Sequence, residues 1–217
     1  MTLHNINRTQ EATEAMLLDS FPATFYNSGR MNIRPLFSAH TIADALPALA
    51  EAVAAQLGVD EPVRAFILLN GGMWFGCDLL RLLPPRFLAG TLRVSSYGAE
   101  TKSSGKLAWH DPVPDCRGER VLLIDDILDT GLTLRNVART LLDAGARSVH
   151  TVVAVDKKER RLDDYEADFS LFTVESGFLV GYGMDWGGLY RNLPYIGVAE
   201  PDDGAAAGRT GMPCEAK

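Results

Sequence analysis

Residues 121–133 read Val121-Leu122-Leu123-Ile124-Asp125-Asp126-Ile127-Leu128-Asp129-Thr130-Gly131-Leu132-Thr133. Val121 to Ile124 is an unbroken apolar run, which suits a strand buried on both faces, as in the middle of a parallel sheet. The run ends in two adjacent carboxylates. After a short loop, Leu134, Val137, Ala138, Leu141 and Leu142 recur at helical spacing, Ala144-Gly145 ends the helix, and Ser148 to Val155 is strand-like again. Strand, loop, helix and strand in so short a span make a βαβ crossover, and a crossover of this kind joins parallel strands. The expected fold class is α/β, with a parallel, Rossmann-like sheet as its core.

Open sheets of this class bind ligands at their carboxyl edge, which is where Asp125 and Asp126 are delivered. The step from Thr130-Gly131 into the next helix brings free N–H groups and a positive dipole end, both suited to a phosphate monoester. Carboxylates beside a phosphate cradle are reconciled if they hold ribose hydroxyls and a divalent cation, since both want acceptor oxygens. A sugar phosphate satisfies both halves. Taken one at a time, Asp125 and Asp126 suit a strand end equally well, and Thr130 and Thr133 suit a helix cap.

Toward the N-terminus, Ile42, Leu46, Leu49, Val53 and Leu57 predict a helix over residues 40–57, with Thr41 and Asp44 as its capping box and Pro47 expected to delay or kink its first turns. Val63 to Leu69 predicts a buried strand, Asn70-Gly71-Gly72 a tight turn, and Met73 to Leu83 a helix stopped by Pro84-Pro85. Thr91 to Tyr97 is a further strand, and residues 98–105, crowded with small and hydroxylated side chains, are expected to be mobile. Toward the C-terminus, Phe169–Val174, Phe178–Tyr182 and Tyr195–Val198 are short β-like runs, followed by a Gly, Ala, Asp and Pro-rich tail. These readings predict one domain over residues 1–199, with a hood from about 1–38 and 166–199, and a disordered tail over 200–217.

At 217 residues the chain is long enough for a sizeable core, and 47% hydrophobic with 23% charged residues excludes collagen-like, coiled-coil and largely disordered classes. Lys and Arg total 21 against 28 Asp and Glu, a net charge of −7 that opposes binding to a nucleic-acid backbone or an anionic membrane. A small anionic ligand in a local basic pocket stays compatible with that balance. Basic residues gather at Lys157-Lys158 and Arg160-Arg161. Cys77, Cys116 and Cys214 lack metal-site spacing and are odd in number, so no disulfide framework or zinc site is encoded and a reducing, cytoplasmic location is expected. No secretory signal or long uncharged apolar run is present in the sequence.

Several further motifs stand in a fixed order around the acidic one: Leu68-Leu69-Asn70-Gly71-Gly72; Ser95-Ser96-Tyr97-Gly98 with Ser103-Ser104-Gly105-Lys106; Asp156-Lys157 with Glu159-Arg160-Arg161; and Val180-Gly181-Tyr182-Gly183-Met184-Asp185 through Tyr190-Arg191-Asn192-Leu193-Pro194-Tyr195. Together they resemble the purine phosphoribosyltransferases of the type I fold, the hypoxanthine phosphoribosyltransferases above all, over roughly residues 60–198. The resemblance implies a purine-salvage enzyme that moves the phosphoribosyl group of phosphoribosyl pyrophosphate to hypoxanthine or guanine with Mg2+, giving the nucleotide and pyrophosphate. Under it Asp125 and Asp126 hold ribose hydroxyls and metal, and Asp129, Thr130, Gly131, Leu132 and Thr133 wrap the 5-phosphate. Asp129 is also the catalytic group that relays the proton of purine N7. Lys157 donates to the oxygen at purine position 6, which selects against adenine, and Phe178 stacks on the base. Leu179 offers main-chain groups to the base edge, and Asp185 lies near a second metal and the base. Gly71, Gly72 and Arg191 receive pyrophosphate. Ser96 and Tyr97 open a flap, reaching to about Leu107, that excludes water.

Asn70 stands where the family usually has lysine, so a charge contact is missing there. Relatives are dimers or tetramers, which implies a homo-oligomer. A xanthine or guanine preference and a non-catalytic RNA-binding regulator on the same fold are the alternatives. Asp129-Thr130-Gly131 is also the triplet of aspartic proteases, but those need two triplets or a symmetric dimer of short β chains. A receiver domain places its acidic pair after the first strand of a much shorter chain.

Overall fold

The computed structural model describes residues 31–58, 60–96, 107–162 and 164–201. Their elements, in order, are β1 (Met31–Phe37), α1 (Ala39–Leu57), β2 (Val63–Leu69), α2 (Met73–Leu82), β3 (Phe87–Ser96), β4 (Leu107–Trp109), β5 (Arg120–Leu128), α3 (Leu132–Asp143), β6 (Ser148–Lys157), β7 (Phe169–Val174), β8 (Leu179–Val180) and β9 (Ile196–Pro201). The chain divides into two units: Arg34–Ala199 falls in one, Met31–Ile33 and Glu200–Pro201 in the other.

β5 is the strand that organises the rest. Val121, Leu122, Leu123 and Ile124 are all fully buried. Because successive side chains point to opposite faces, Val121 and Leu123 enter one core with Leu134, Val137 and Leu141 of α3, while Leu122 and Ile124 enter the other with Val53, Phe75 and Leu79. Six strands lie in the order β4-β3-β2-β5-β6-β7. Every neighbouring pair is parallel except β3 with β4. From β2 the chain passes to β3 on one side and later returns to β5 on the other, so a crevice opens between the carboxyl ends of β2 and β5. The fold is the expected α/β class, and both the Gly71-Gly72 turn and the Asp125-Asp126 pair sit at that crevice.

The ladder carries several elements past their expected ends. Asp125 pairs with Val153 and Leu128 with Asp156, so β5 runs on to Leu128, and β6 continues through Lys157. β3 begins at Phe87 rather than Thr91, and α3 at Leu132 rather than Leu134. α1 starts at Ala39, capped by Ser38, whose hydroxyl accepts the Thr41 amide at 3.1 Å; Thr41 is not the cap. Pro47 neither delays nor breaks this helix. It lies on the exposed face, where water satisfies the carbonyl it leaves unbonded.

A second, three-stranded sheet has the order β1-β9-β8. The expected hood segment 166–199 is therefore split. β8 and β9 join the small sheet, but β7 forms the edge of the large one, because Phe169, Leu171, Phe172 and Val174 pack on the core that α1 covers. Phe37 stacks on Phe172 with ring centroids 3.9 Å apart. Among the described residues no helix is long and apolar enough to cross a membrane. The expectations for residues 1–30, for the mobile stretch 98–105 and for the tail beyond 201 lie outside the described residues.

If β5 is the strand shared by both cores, Leu122→Ala should lower the unfolding free energy by about 2–5 kcal/mol, measured from urea titration. A loss below about 1 kcal/mol would contradict the central placement of this strand.

Candidate active site

Three turns meet at the crevice. A Cβ added to Gly71 would lie 2.1 Å from Asp126 Oδ2, and one added to Gly183 would lie 2.0 Å from the Gly71 carbonyl oxygen. The turn after β2 is thus packed against the Asp126 carboxylate at the end of β5 and against the backbone of the Gly181-Tyr182-Gly183 turn, at distances only glycine permits. Gly183 also has φ 107° and the Leu69–Asn70 peptide is cis. Tyr182 fixes the third turn to α2. Its hydroxyl donates to Asp78 Oδ2 at 2.9 Å and its ring meets Phe75 edge-on at 6.4 Å. Burial, with the Asp78 carboxylate adding to it, pushes the Tyr182 phenol well up, so this hydroxyl stays a donor.

The adjacent carboxyls lie in a setting that disfavours their charged forms. Asp125 Oδ1 accepts the Asp126 amide and Asp126 Oδ1 the Ile127 amide, each at 2.9 Å. Burial, and then the Asp126 carboxylate beside it, push the Asp125 carboxyl well above the usual carboxylate range; burial also raises Asp126. The Arg191 guanidinium offsets part of this on both. Arg191 itself holds Asp185 Oδ1 at 2.5 Å and donates to the Gly183 carbonyl at 2.6 Å, while Asp185 Oδ2 accepts the Gly188 amide at 2.7 Å. Arg191 thus ties Asp185 to the Gly183 turn at the crevice.

A half-buried and a buried hard-oxygen carboxylate, Asp125 and Asp126, fit a divalent cation. Among the described residues no group of three or more His, Cys, Asp or Glu side chains could hold a metal alone, and Asp185 is not gathered with Asp125 and Asp126 into one. Magnesium suits such a site, since it is usually held by one or two carboxylates and completes its shell with substrate phosphates and water.

Beyond β5 the chain turns through Asp129, Thr130 and Gly131, the last in a left-handed conformation at φ 86° as the N-cap of α3. Thr130 Oγ1 accepts the Leu132 amide at 3.4 Å. Asp129 and Lys157 leave adjacent strands one residue past the Leu128–Asp156 register pair, which brings Lys157 Nζ within 3.4 Å of Asp129 Oδ1. Lys157 is buried, contrary to what a lone lysine in a basic run suggests. Its ammonium lies also 3.6 Å from Glu159. Asp129 Oδ1 is buried without a hydrogen-bond partner, and Oδ2 is 3.3 Å from Arg160 Nη1.

Phe178 is 42% exposed, so its ring is not core. Leu179 is buried and pairs with Val198, and the Phe178 carbonyl accepts the Ala199 amide at 2.8 Å. Ser96 pairs with Leu107 across the antiparallel β3–β4 ladder, so the segment between them joins the two strands. Tyr97 and the rest of the expected flap lie outside the described residues.

The basic run is answered by carboxylates on every side. Lys158 bonds Asp156 at 2.6 Å and Glu166 at 2.7 Å, and Arg161 bonds Asp156. Among the described residues, Lys158 and Arg161 of this run are thus paired with carboxylates. The sequence reading gave Asp78, Tyr182 and Asp156 no role, because their partners are distant in sequence or lie on a loop with no periodic signal.

Residues 66–186 match the model of the phosphoribosyl transferase domain. A hypoxanthine-guanine phosphoribosyltransferase of Aquifex aeolicus (strain VF5) is 42% identical over 153 residues, 70% of this chain and 86% of the relative. One from Streptococcus pneumoniae (strain ATCC BAA-255 / R6) is 37% identical over 163 residues, 73% of this chain and 91% of the relative. The crystal structure of a hypoxanthine phosphoribosyltransferase from Staphylococcus aureus superposes with a TM-score of 0.72 at 30% identity, covering 77% of this chain and 91% of that one. With the acidic strand end, the paired glycine turns and the Asp129–Lys157 pair all lying inside the matched span, the chain belongs to the phosphoribosyltransferase family, where these relatives are hypoxanthine-guanine phosphoribosyltransferases.

Proposed function

We propose that this chain is a purine-salvage enzyme that transfers the phosphoribosyl group of phosphoribosyl pyrophosphate to hypoxanthine, and also to guanine, releasing pyrophosphate. The observation that carries the reading is the buried Lys157 ammonium 3.4 Å from Asp129 beside the phosphate turn. A cation and a carboxylate so placed match the oxygen at purine position 6 and the N–H at position 7 of an oxo-purine, one accepting and one donating.

The 5-phosphate lies in the turn Asp129, Thr130, Gly131, Leu132 and Thr133 at the positive end of α3. The ribose diol donates to Asp125 and Asp126. Pyrophosphate approaches the backbone at Gly71 and Gly72, and Arg191 turns toward it. Asp125 and Asp126 would hold Mg2+, with Asp185 near a second ion on the resemblance, and the metal would supply positive charge to the leaving pyrophosphate. The base stacks on Phe178 along the Leu179 main chain, with Lys157 donating to its oxygen. As the ring nitrogen bonds to the sugar carbon and the bond to pyrophosphate breaks, the base gains positive charge, and Asp129 takes up or shares the N7 proton. Ser96 and Tyr97 begin the flap that keeps water from the sugar carbon. Adenine is disfavoured because its amino group is a donor and leaves Lys157 unpaired. A homo-oligomer, dimer or tetramer, belongs to this proposal on the resemblance. A cytoplasmic location is supported by Cys77 and Cys116, both free thiols.

The test is nucleotide formation from hypoxanthine, guanine, xanthine and adenine with phosphoribosyl pyrophosphate and Mg2+, run on the parent chain and on Asp129→Asn. Product from hypoxanthine and none from adenine, with turnover at least roughly tenfold lower in the variant, is expected. Xanthine as the better acceptor would move the assignment to the xanthine or guanine branch, and unchanged turnover in Asp129→Asn would remove that residue from catalysis.

The raised Asp125 carboxyl has a consequence for stability. A carboxyl whose folded value lies above its unfolded one stabilises the fold below the ordinary carboxylate range and loses that contribution as pH rises toward the folded value. In metal-free buffer Asp125→Asn should therefore gain stability relative to the parent as pH rises above the ordinary carboxylate range, read from urea midpoints. A difference that does not change with pH would contradict the buried-pair account.

A further inference from the structure

Arg161 makes a set of contacts for which no substrate role accounts. Its side chain is 9% exposed. Nε donates to the Asp129 carbonyl at 3.2 Å, and Nη2 donates to the carbonyls of Leu128 and Lys157, each at 3.2 Å, as well as to the Asp156 carboxylate. Nη1 donates to the Tyr165 carbonyl and lies 3.6 Å from Glu166. Its stem runs along the phosphate turn, where a Cβ on Gly131 would meet Arg161 Cδ at 3.5 Å. Next to it the Leu162 amide donates to the Thr130 carbonyl at 3.3 Å.

These partners share a location. Leu128 and Asp129 leave the end of β5, Asp156 and Lys157 the end of β6, and the two strands are neighbours in the sheet. Carbonyls at the ends of strands run out of ladder partners and need donors from elsewhere. A guanidinium presents its donors in a rigid plane and reaches several acceptors at once, which an ammonium on a flexible stem does not. Asp156 keeps that plane oriented. Burial alone would raise its carboxyl, but Lys158 and Arg161 bonded to it hold it below the usual range, so it remains the anion.

We infer that Arg161 is a positioning residue that locks the phosphate turn carrying Asp129 to the strand end carrying Lys157, so that sugar phosphate and purine are presented in one fixed relation. It acts through those two residues and touches neither substrate. The inference rests on the transferase reading above. Without this clasp the Asp129–Lys157 geometry is free to drift, and a misplacement of about 1 Å in a positioned site costs on the order of 100-fold in rate.

The experiment uses the full chain, the parent assayed first with phosphoribosyl pyrophosphate, hypoxanthine and Mg2+, then Arg161→Lys and Arg161→Ala, each with kcat, KM for both substrates and a thermal midpoint. Arg161→Lys keeps the charge and loses the fork, and its kcat/KM should fall at least about tenfold for both substrates while it still melts cooperatively above the assay temperature. Guanidinium chloride at sub-denaturing concentration should restore part of the activity of Arg161→Ala and none of that of Leu122→Ala, whose defect is stability alone. Arg161→Lys within about twofold of the parent would overturn the assignment, as would an Arg161→Ala defect that guanidinium leaves untouched. Should Arg161→Ala not fold, the Arg161→Lys arm alone decides. A parent chain that forms no nucleotide removes the transferase reading and this inference with it, an outcome seen before any variant is assayed.

Discussion

Asp125 and Asp126 are held side by side at the mouth of the crevice by a strand whose preceding four residues are buried in two different cores. Sliding that strand by one residue would exchange its two faces and turn both cores inside out, so the carboxylates have one position available to them. Burial, and for Asp125 the carboxylate of Asp126 as well, makes their charged forms unfavourable without a ligand. Core packing supplies the free energy that keeps them there, and a diol or a cation relieves the strain. Gly71 and Gly183 follow from the same constraint, because each lies where a side chain would collide with Asp126 or with the neighbouring turn.

Around this fixed point the working groups divide by the kind of backbone that carries them. The phosphate turn takes its amides from the start of α3 and its curvature from the left-handed Gly131. Lys157 stands on the last residue of a strand and Asp129 just past the end of the next one, so the sheet brings the two chain ends side by side and the Arg161 bonds to their carbonyls join them. Arg191 and Asp185 come from the turn-rich segment between β8 and β9, tied to α2 through the Tyr182–Asp78 hydrogen bond.

Much of this was readable from the residues alone, and the rest was not for identifiable reasons. The apolar run at Val121 to Ile124 and the helical stripe after it carry their own periodicity, so the α/β class and the parallel sheet followed directly. The true ends of β5 and β6 did not, because Asp125, Asp126, Asp156 and Lys157 are polar and a reading that counts apolar alternation stops before them. β4 has three residues and β1 contains a proline, too little pattern to register. The split of the segment 166–199 between two sheets depends on long-range burial of Phe169 and Phe172, and no local rule announces it. Arg161 reads as one more charge in a basic run. Only the folded loop turns it inward onto five acceptors drawn from two strand ends and the following loop.

The claim most exposed to test is that the acidic strand end receives an activated pentose together with a cation. Isothermal titration of phosphoribosyl pyrophosphate into the full chain, with and without Mg2+, measures this directly, with Asp126→Asn as the comparison. The account predicts saturable binding of one molecule per chain that strengthens with Mg2+ and weakens at least about tenfold in the variant, the loss of a charge-assisted contact. Binding of equal strength in parent and variant, or no saturable heat from the parent even at millimolar ligand, would contradict it.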